Sequence, residues 1–204
     1  MKIRKFAAID IGSNAIRLLI QNVIEEKGKK TQFRKISLIR VPVRLGEESF
    51  TVGEISEYNE ERILNTMKAF KLIMDVNGVE KYMACATSAI REANNGYEIV
   101  ERIYRDSGVK IEVIDGKKEA AIIASTDLKQ LIQNDRSYLY IDVGGGSTEF
   151  TLFTDGKIKI SKSFKIGTVR ILNNLVGEGI WKKIELWIKE NIIGLSNMTI
   201  IGSG

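Results

Sequence analysis

Ile141-Asp142-Val143-Gly144-Gly145-Gly146-Ser147-Thr148-Glu149 decides the reading of this chain. An apolar run ends in an aspartate, three glycines and a serine make a turn, and a second apolar run begins. The same idea stands near the N-terminus as Ala8-Ile9-Asp10-Ile11-Gly12-Ser13-Asn14. Small residues in such a turn let backbone N–H groups approach a phosphate with no side chain in the way. The strand-end aspartate can hold a hydrated magnesium ion or orient a water. One Asp-x-Gly turn fits any hairpin. Two copies at equivalent places in the order of elements point to two similar lobes, with their turns expected to face each other across a cleft.

Around the first turn, residues 5–11, 15–24 and 33–43 read as three strands of an antiparallel meander, with Lys27-Gly28-Lys29-Lys30 at a hairpin tip. The period then changes. Ile63, Met67, Phe70 and Met74 recur at three- and four-residue spacing, which predicts a helix over 56–77. A strand at 81–87, a helix at 97–105, a strand at 110–114 and a helix at 117–132 complete a βββαβαβα lobe over 1–124. The second lobe, 125–204, restarts the pattern. Strands are expected at 138–142, 149–153, 158–164 and 198–201, and helices at 168–175 and 180–191. Gly202-Ser203-Gly204 reads as the beginning of a third glycine turn, which leaves this lobe incomplete.

Composition narrows the chemistry. The 204 residues are 44% apolar and 28% charged, as in a globular protein. Histidine is absent, which removes Ser-His-Asp and Cys-His catalysis and the usual zinc sites. Hydrolytic chemistry would rest on carboxylates, a metal ion, lysine, arginine and backbone amides. The single cysteine, Cys85, allows no internal disulfide and reads as a small buried hydrophobe. A net charge of +5 suits a polyanionic partner. The lysines are scattered, and the cluster at 27–30 reads as a solvated tip, so no nucleic-acid partner is expected. No apolar run approaches the roughly 20 residues needed to span a bilayer. Met1-Lys2-Ile3-Arg4-Lys5 runs too soon into Asp10 for a signal peptide, so the expectation is a cytoplasmic protein without a membrane partner. Trp181 and Trp187, with Ile184 and Ile188, read as packing residues of a core or lobe interface.

The two turns resemble the phosphate-1 and phosphate-2 motifs of the actin, heat-shock chaperone and sugar/acetate kinase superfamily. More narrowly, the chain resembles the exopolyphosphatase and guanosine pentaphosphate phosphohydrolase family. Besides the turns, the match is carried by Ala86-Thr87-Ser88-Ala89-Ile90-Arg91-Glu92-Ala93, Ile114-Asp115-Gly116-Lys117-Lys118-Glu119-Ala120 and Ile166-Gly167-Thr168-Val169-Arg170. The resemblance implies an α/β chain with the actin-like ATPase (ribonuclease H-like) fold, two similar lobes around a cleft.

It also implies roles. Glu119 stands where the family has its catalytic carboxylate, and could take a proton from attacking water. Lys118 departs from several relatives, which carry a second acid there. Arg91 could bind phosphate oxygens and offset charge in the transition state, or pair with Glu92 at the surface. Gly12, Ser13, Asn14, Thr87, Ser88, Gly144, Gly145, Gly146 and Ser147 would bind phosphate. Asp10, Asp142 and Glu149 would hold magnesium, the rival for each being a carboxylate that caps its own turn.

The reaction implied is magnesium-assisted hydrolysis of a terminal phosphoanhydride. Inorganic polyphosphate is the first-choice substrate and guanosine pentaphosphate the second. Two other classes compete: a phosphotransferase of the acetate or sugar kinase type, and a non-catalytic nucleotide or alarmone-binding module. The module would keep Asp10, Gly12 and the glycines of the second turn but could lose Glu119. Family members generally continue past Gly204, and an exposed unfinished lobe could promote either a homodimer or instability.

Overall fold

The computed structural model describes residues 1–124, 136–195 and 197–204. The chain divides into two compact units, Met1–Val113 and Ile114–Gly204.

In the first unit, β1 (Lys2–Ile11), β2 (Ala15–Glu25) and β3 (Gln32–Pro42) form the antiparallel meander. The parallel strands β4 (Lys81–Ala86) and β5 (Glu112–Val113) extend it, in the order β3-β2-β1-β4-β5. Alternation decides the inward face: Ala7, Ile9 and Ile11 of β1 are buried, as are Ile16, Leu18 and Ile20 of β2. Against this face pack Ile63, Met67, Phe70 and Met74 of α2 (Glu57–Val76) and Ile99 and Ile103 of α4 (Gly96–Ser107). Each such side chain contributes about 1.5–3 kcal/mol on burial. Ser56 caps α2 by accepting from the Asn59 amide, and α4 ends at Gly108 in the left-handed region. Cys85 is buried, as read. Two short helices, α1 (Leu45–Ser49) and α3 (Ser88–Glu92), were not expected. Five residues are too few to show a helical period.

The second unit repeats the sheet. β6 (Ser137–Val143), β7 (Thr148–Thr154) and β8 (Lys157–Phe164) are antiparallel neighbours, and β9 (Met198–Ser203) joins β6 in parallel, giving β8-β7-β6-β9. Thus β6, β7, β8 and β9 stand as β1, β2, β3 and β4 do in the first unit. One face buries Leu139, Phe150, Leu152 and Phe164 with Ile184 and Trp187 of α7 (Gly179–Asn191). Phe150, Phe164 and Trp187 meet edge to face at 5.2–6.1 Å. The other face carries Tyr138, Tyr140 and Phe153, and α5 (Gly116–Ala124) packs on β7 and β8.

Several expectations change. Gly202 and Ser203 are not a turn: β9 runs parallel to β6 and pairs Gly202 with Ile141 and Ser203 with Asp142. The segment after Gly167 forms only α6 (Thr168–Leu172), because Asn174 adopts φ 55° and the Leu175 amide closes back on Arg170 O. Trp187 is a core residue, but Trp181 is 59% exposed. The helix expected over 117–132 is seen through Ala124, and its remainder lies outside the described residues. No helix among the described residues is long and apolar enough to cross a membrane.

Candidate active site

The two glycine turns share one geometry. Gly12 N–H donates to Ala15 O at 3.1 Å, and Gly144 N–H donates to Ser147 O at 2.9 Å. Both bonds span three residues and close the loop just before the strands begin to pair, at Ile11↔Ile16 and Val143↔Thr148. The amides inside each loop, those of Ser13 and Asn14 in the first and of Gly145, Gly146 and Ser147 in the second, donate to no described residue. Consecutive N–H groups without an internal acceptor form a concave anion-binding surface.

Each turn is held from below by helix termini. In the first unit Ser13 is buried, its hydroxyl 3.0 Å from the Ser88 hydroxyl, and its carbonyl accepts from Gly46 N at 2.8 Å. Asn14, exposed at the loop's tip, accepts from Arg44 N at 2.9 Å. Thr87 donates its amide to Ile11 O at 3.1 Å, which fixes the start of α3, and Arg91 is half-buried on that helix. Thus the structure brings Gly12, Ser13, Asn14, Thr87 and Ser88 together. Arg44 was missed: it adopts φ 59°, unusual for a residue with a side chain, beside the turn.

In the second unit, α6 takes up every glycine carbonyl. Thr168 N donates to Gly144 O at 3.0 Å, Val169 N to Gly145 O at 2.9 Å, and Arg170 Nε to Gly146 O at 2.6 Å. A Cβ at Gly167 would stand 2.5 Å from Gly145 O, so glycine is required where α6 meets the turn. With the carbonyls occupied, amides are the groups this loop has left to offer.

The carboxylates lie in register. Asp142 and Glu149 are cross-strand partners on β6 and β7, flanked by Ser203 on β9 and Ser163 on β8. Ser163 Oγ donates to Glu149 Oε1 at 2.8 Å, and Ser203 Oγ donates to Asp142 Oδ1. The Tyr140 hydroxyl reaches Ser203 in turn. Burial pushes the Tyr140 phenol up; the Ser203 bond opposes this, and the charge of Asp142 adds to it. In the first unit the matching pair is Asp10 and Arg17, ion-paired at 3.5 Å. The second unit has two like charges instead, an arrangement that costs stability unless cationic charge offsets it. Glu149 is moreover only 2% exposed.

That donor set fits a magnesium ion, which takes one or two carboxylates and completes its shell with water and phosphate oxygens. Asp142 and Glu149 would hold it, oriented by the two serines. No group of three or more His, Cys, Asp or Glu side chains arranged for a metal occurs among the described residues, and Asp10 belongs to the first unit.

Glu119 lies on α5. Asp115 caps that helix, its carboxylate accepting from Lys118 N at 2.7 Å, while its carbonyl accepts from Glu119 N at 2.9 Å. Glu119 is half-buried with Oε2 shielded from solvent. The N-terminus of α5 rests directly on the carboxylate row: a Cβ at Gly116 would lie 2.6 Å from Ser163 Cβ and 3.5 Å from Glu149 Oε1. The second unit therefore joins the glycine turn, the carboxylate pair and the helix of Glu119 through a few adjoining residues.

A profile of the Ppx/GppA phosphatase family matches residues 23–192. The chain belongs to the Ppx/GppA phosphatase family. It is 35% identical over 216 residues to the bifunctional 3-dehydroquinate synthase/phosphatase of Fusobacterium nucleatum, covering 96% of this chain and 32% of that one. Exopolyphosphatase 1 of Mycobacterium tuberculosis is 26% identical over 82% of this chain and 47% of its own length. The guanosine-5'-triphosphate,3'-diphosphate pyrophosphatase of Aeromonas hydrophila is 28% identical over 85% of this chain and 34% of its own. The crystal structure of the Aquifex aeolicus Ppx/GppA family member matches with a TM-score of 0.77 and 29% identity, over 100% of this chain and 67% of that one. The chain thus spans about a third to a half of these curated relatives and two thirds of the solved structure. With two sheets in a mixed α/β chain, the fold of this Ppx/GppA member is the actin-like ATPase fold.

Proposed function

We propose that this chain carries the hydrolytic site of a phosphoanhydride phosphatase, acting first on inorganic polyphosphate and second on guanosine pentaphosphate. The observation that supports it is the second unit's arrangement: a turn whose carbonyls are occupied and whose amides are not, beside two opposed carboxylates and a shielded glutamate. The loop amides would bind the oxygens of a terminal phosphate, and those of the 12–14 turn, with Ser13, Thr87 and Ser88 beneath, would bind phosphate in the same manner. Glu119 would accept the proton of the attacking water, the role histidine fills elsewhere and which this chain has no histidine to fill. Arg91 would bind phosphate oxygens and lower the cost of charge spreading in the transition state. A bound magnesium ion would neutralise phosphate charge; Asp142 and Glu149, cross-strand partners within the second unit, would hold it.

Inorganic polyphosphate stands first because the chain's net charge of +5 suits a long polyanion and nothing in the turns reads a base. Orthophosphate release from long-chain polyphosphate and from guanosine pentaphosphate, each with magnesium, tests this reading. A higher kcat/KM on polyphosphate is expected. A higher value on guanosine pentaphosphate reverses the order of substrates, and no release from either by folded protein contradicts the reading itself.

A further inference from the structure

Glu149 and Asp142 each accept from a serine, but the two serines are held in different ways. Ser163 is fixed by packing, since a Cβ at Gly116 would stand 2.6 Å from its Cβ and 2.8 Å from its Oγ. Ser203 is exposed on β9, where a serine hydroxyl ordinarily turns among three staggered positions. The group that reaches it is the phenol of Tyr140, two residues before Asp142 on β6 and so on the same face of the sheet. Donor counts give the chain its direction. An ionised carboxylate only accepts, so the Ser203 proton goes to Asp142 Oδ1, and Ser203 Oγ keeps lone pairs alone for the phenol. Tyr140 therefore donates to Ser203, and Ser203 donates to Asp142.

The tyrosine is a firm anchor for this chain. Its ring is buried with Tyr138 and Phe153, and Ile201 packs against them. The internal repeat shows independently that the sheet itself does not call for these hydroxyls. Asp10 stands in the first unit where Asp142 stands in the second. There the place of Tyr140 is taken by Ala8, two residues before Asp10, and the place of Ser203 by Cys85, the neighbour of Asp10 on β4. Neither side chain carries a hydroxyl, and Asp10 is ion-paired with Arg17 instead. The two hydroxyls accompany the opposed carboxylates, in the unit where Glu149 takes the cross-strand position of that arginine.

We propose that Tyr140 is a positioning residue for Asp142, acting through Ser203 to hold the carboxylate in the orientation that receives a divalent cation. The proposal rests on the reading in which Asp142 and Glu149 hold magnesium. Oδ1 is committed to Ser203, which restrains rotation of the carboxylate and leaves Oδ2 to serve as the ligand atom. Groups one bond behind a metal ligand orient it and raise its affinity for the ion. Without the phenol, Ser203 regains its other rotamers and Asp142 loses its fixed partner, so the cation must order both side chains when it binds.

The test measures metal binding by the full chain without substrate. Mn2+, which suits the same oxygen ligands as magnesium, is titrated and the free ion counted by electron paramagnetic resonance. Ser203→Ala should weaken binding about tenfold, and Tyr140→Phe, one bond further out, about threefold or more. Phenylalanine keeps the ring's packing and Ser203 is exposed, and far-UV circular dichroism checks that each variant folds. Because the two hydroxyls act in series, the double variant should bind no more weakly than Ser203→Ala alone. Ser203→Thr, which keeps the hydroxyl, should restore most of the affinity. Additive losses, or Tyr140→Phe binding as tightly as the parent, would overturn the relay while leaving the metal ligands in place. A parent that binds no Mn2+, or binding unchanged by Asp142→Asn, would overturn the metal reading and the relay with it.

Discussion

Glu149 shows how much a single residue's register matters. Opposite Asp142 and nearly sealed from water, it is tied to Ser163 at 2.8 Å, whereas the equivalent position in the first unit is Arg17, paired with Asp10. A cation held between the two carboxylates would lower their mutual repulsion. Magnesium should raise the thermal midpoint of the parent, equivalent to about 1–3 kcal/mol at saturation. It should leave that of Glu149→Gln unmoved. An equal rise in both proteins would remove the pair as the metal ligands. Gly167 makes a second residue-scale case. Its missing Cβ leaves room for the backbone of Gly145 and Gly146, at 2.5–2.7 Å. Backbone cannot turn aside as a side chain can, so Gly167→Ala should destabilise by about 1–3 kcal/mol in urea unfolding. Gly177→Ala, where nothing lies within 4 Å, should stay within about 0.5 kcal/mol of the parent. Equal effects would mean that the grip on the turn has been misread.

Among the elements, α1 and α2 are tied by one side chain. Glu48 on α1 accepts from both the amide and the hydroxyl of Ser56, the cap of α2, at 2.8 Å each. Burial pushes the Glu48 carboxyl up, but the bonds from Ser56 and Asn59 and the charge of Arg62 outweigh it and hold it below its ordinary value. A carboxyl depressed in the folded state stabilises above its unfolded pKa, and that stability is lost as pH falls through the folded value. The parent should therefore exceed Glu48→Gln by about 0.5–1 kcal/mol at neutral pH, a low figure because the site is partly exposed. The difference should shrink as the pH falls below the ordinary carboxylate range; a gap independent of pH would contradict it. The same elements show what the sequence discloses. Helix α2 is legible because four buried residues keep its period, while α1 and α3 are too short to show one. Gly202 and Ser203 looked like a turn because glycine and serine favour turns, but a parallel partner strand keeps them extended. Trp181 and Trp187 are alike in sequence, and only the packing of α7 on the sheet separates the exposed one from the buried one.

At the scale of the whole molecule, the repeat seen in two short motifs extends to the sheets: the same strand order, the same closing bond in each turn, and the same cross-strand position for the residue facing the aspartate. That much could be read from Asp10 and Asp142 with their glycines. The supporting shell could not. Ser163 lies 14 residues from Glu149 and Ser203 lies 61 from Asp142, and they meet only because register brings strands together. Arg44 gives no signal in a sequence, since its left-handed conformation is imposed by its neighbours. Two units sharing one turn design have nonetheless diverged. The first pairs its aspartate with arginine; the second adds a carboxylate and the capped helix of Glu119, and is the unit proposed to carry the hydrolytic site. The most direct test of that claim is the single-turnover rate of orthophosphate release from polyphosphate, with magnesium, by the parent and by folded Glu119→Gln. A loss of about 10²–10⁴-fold, the usual worth of a general base, is predicted. A variant as fast as the parent would contradict the account by showing that Glu119 does not activate the water.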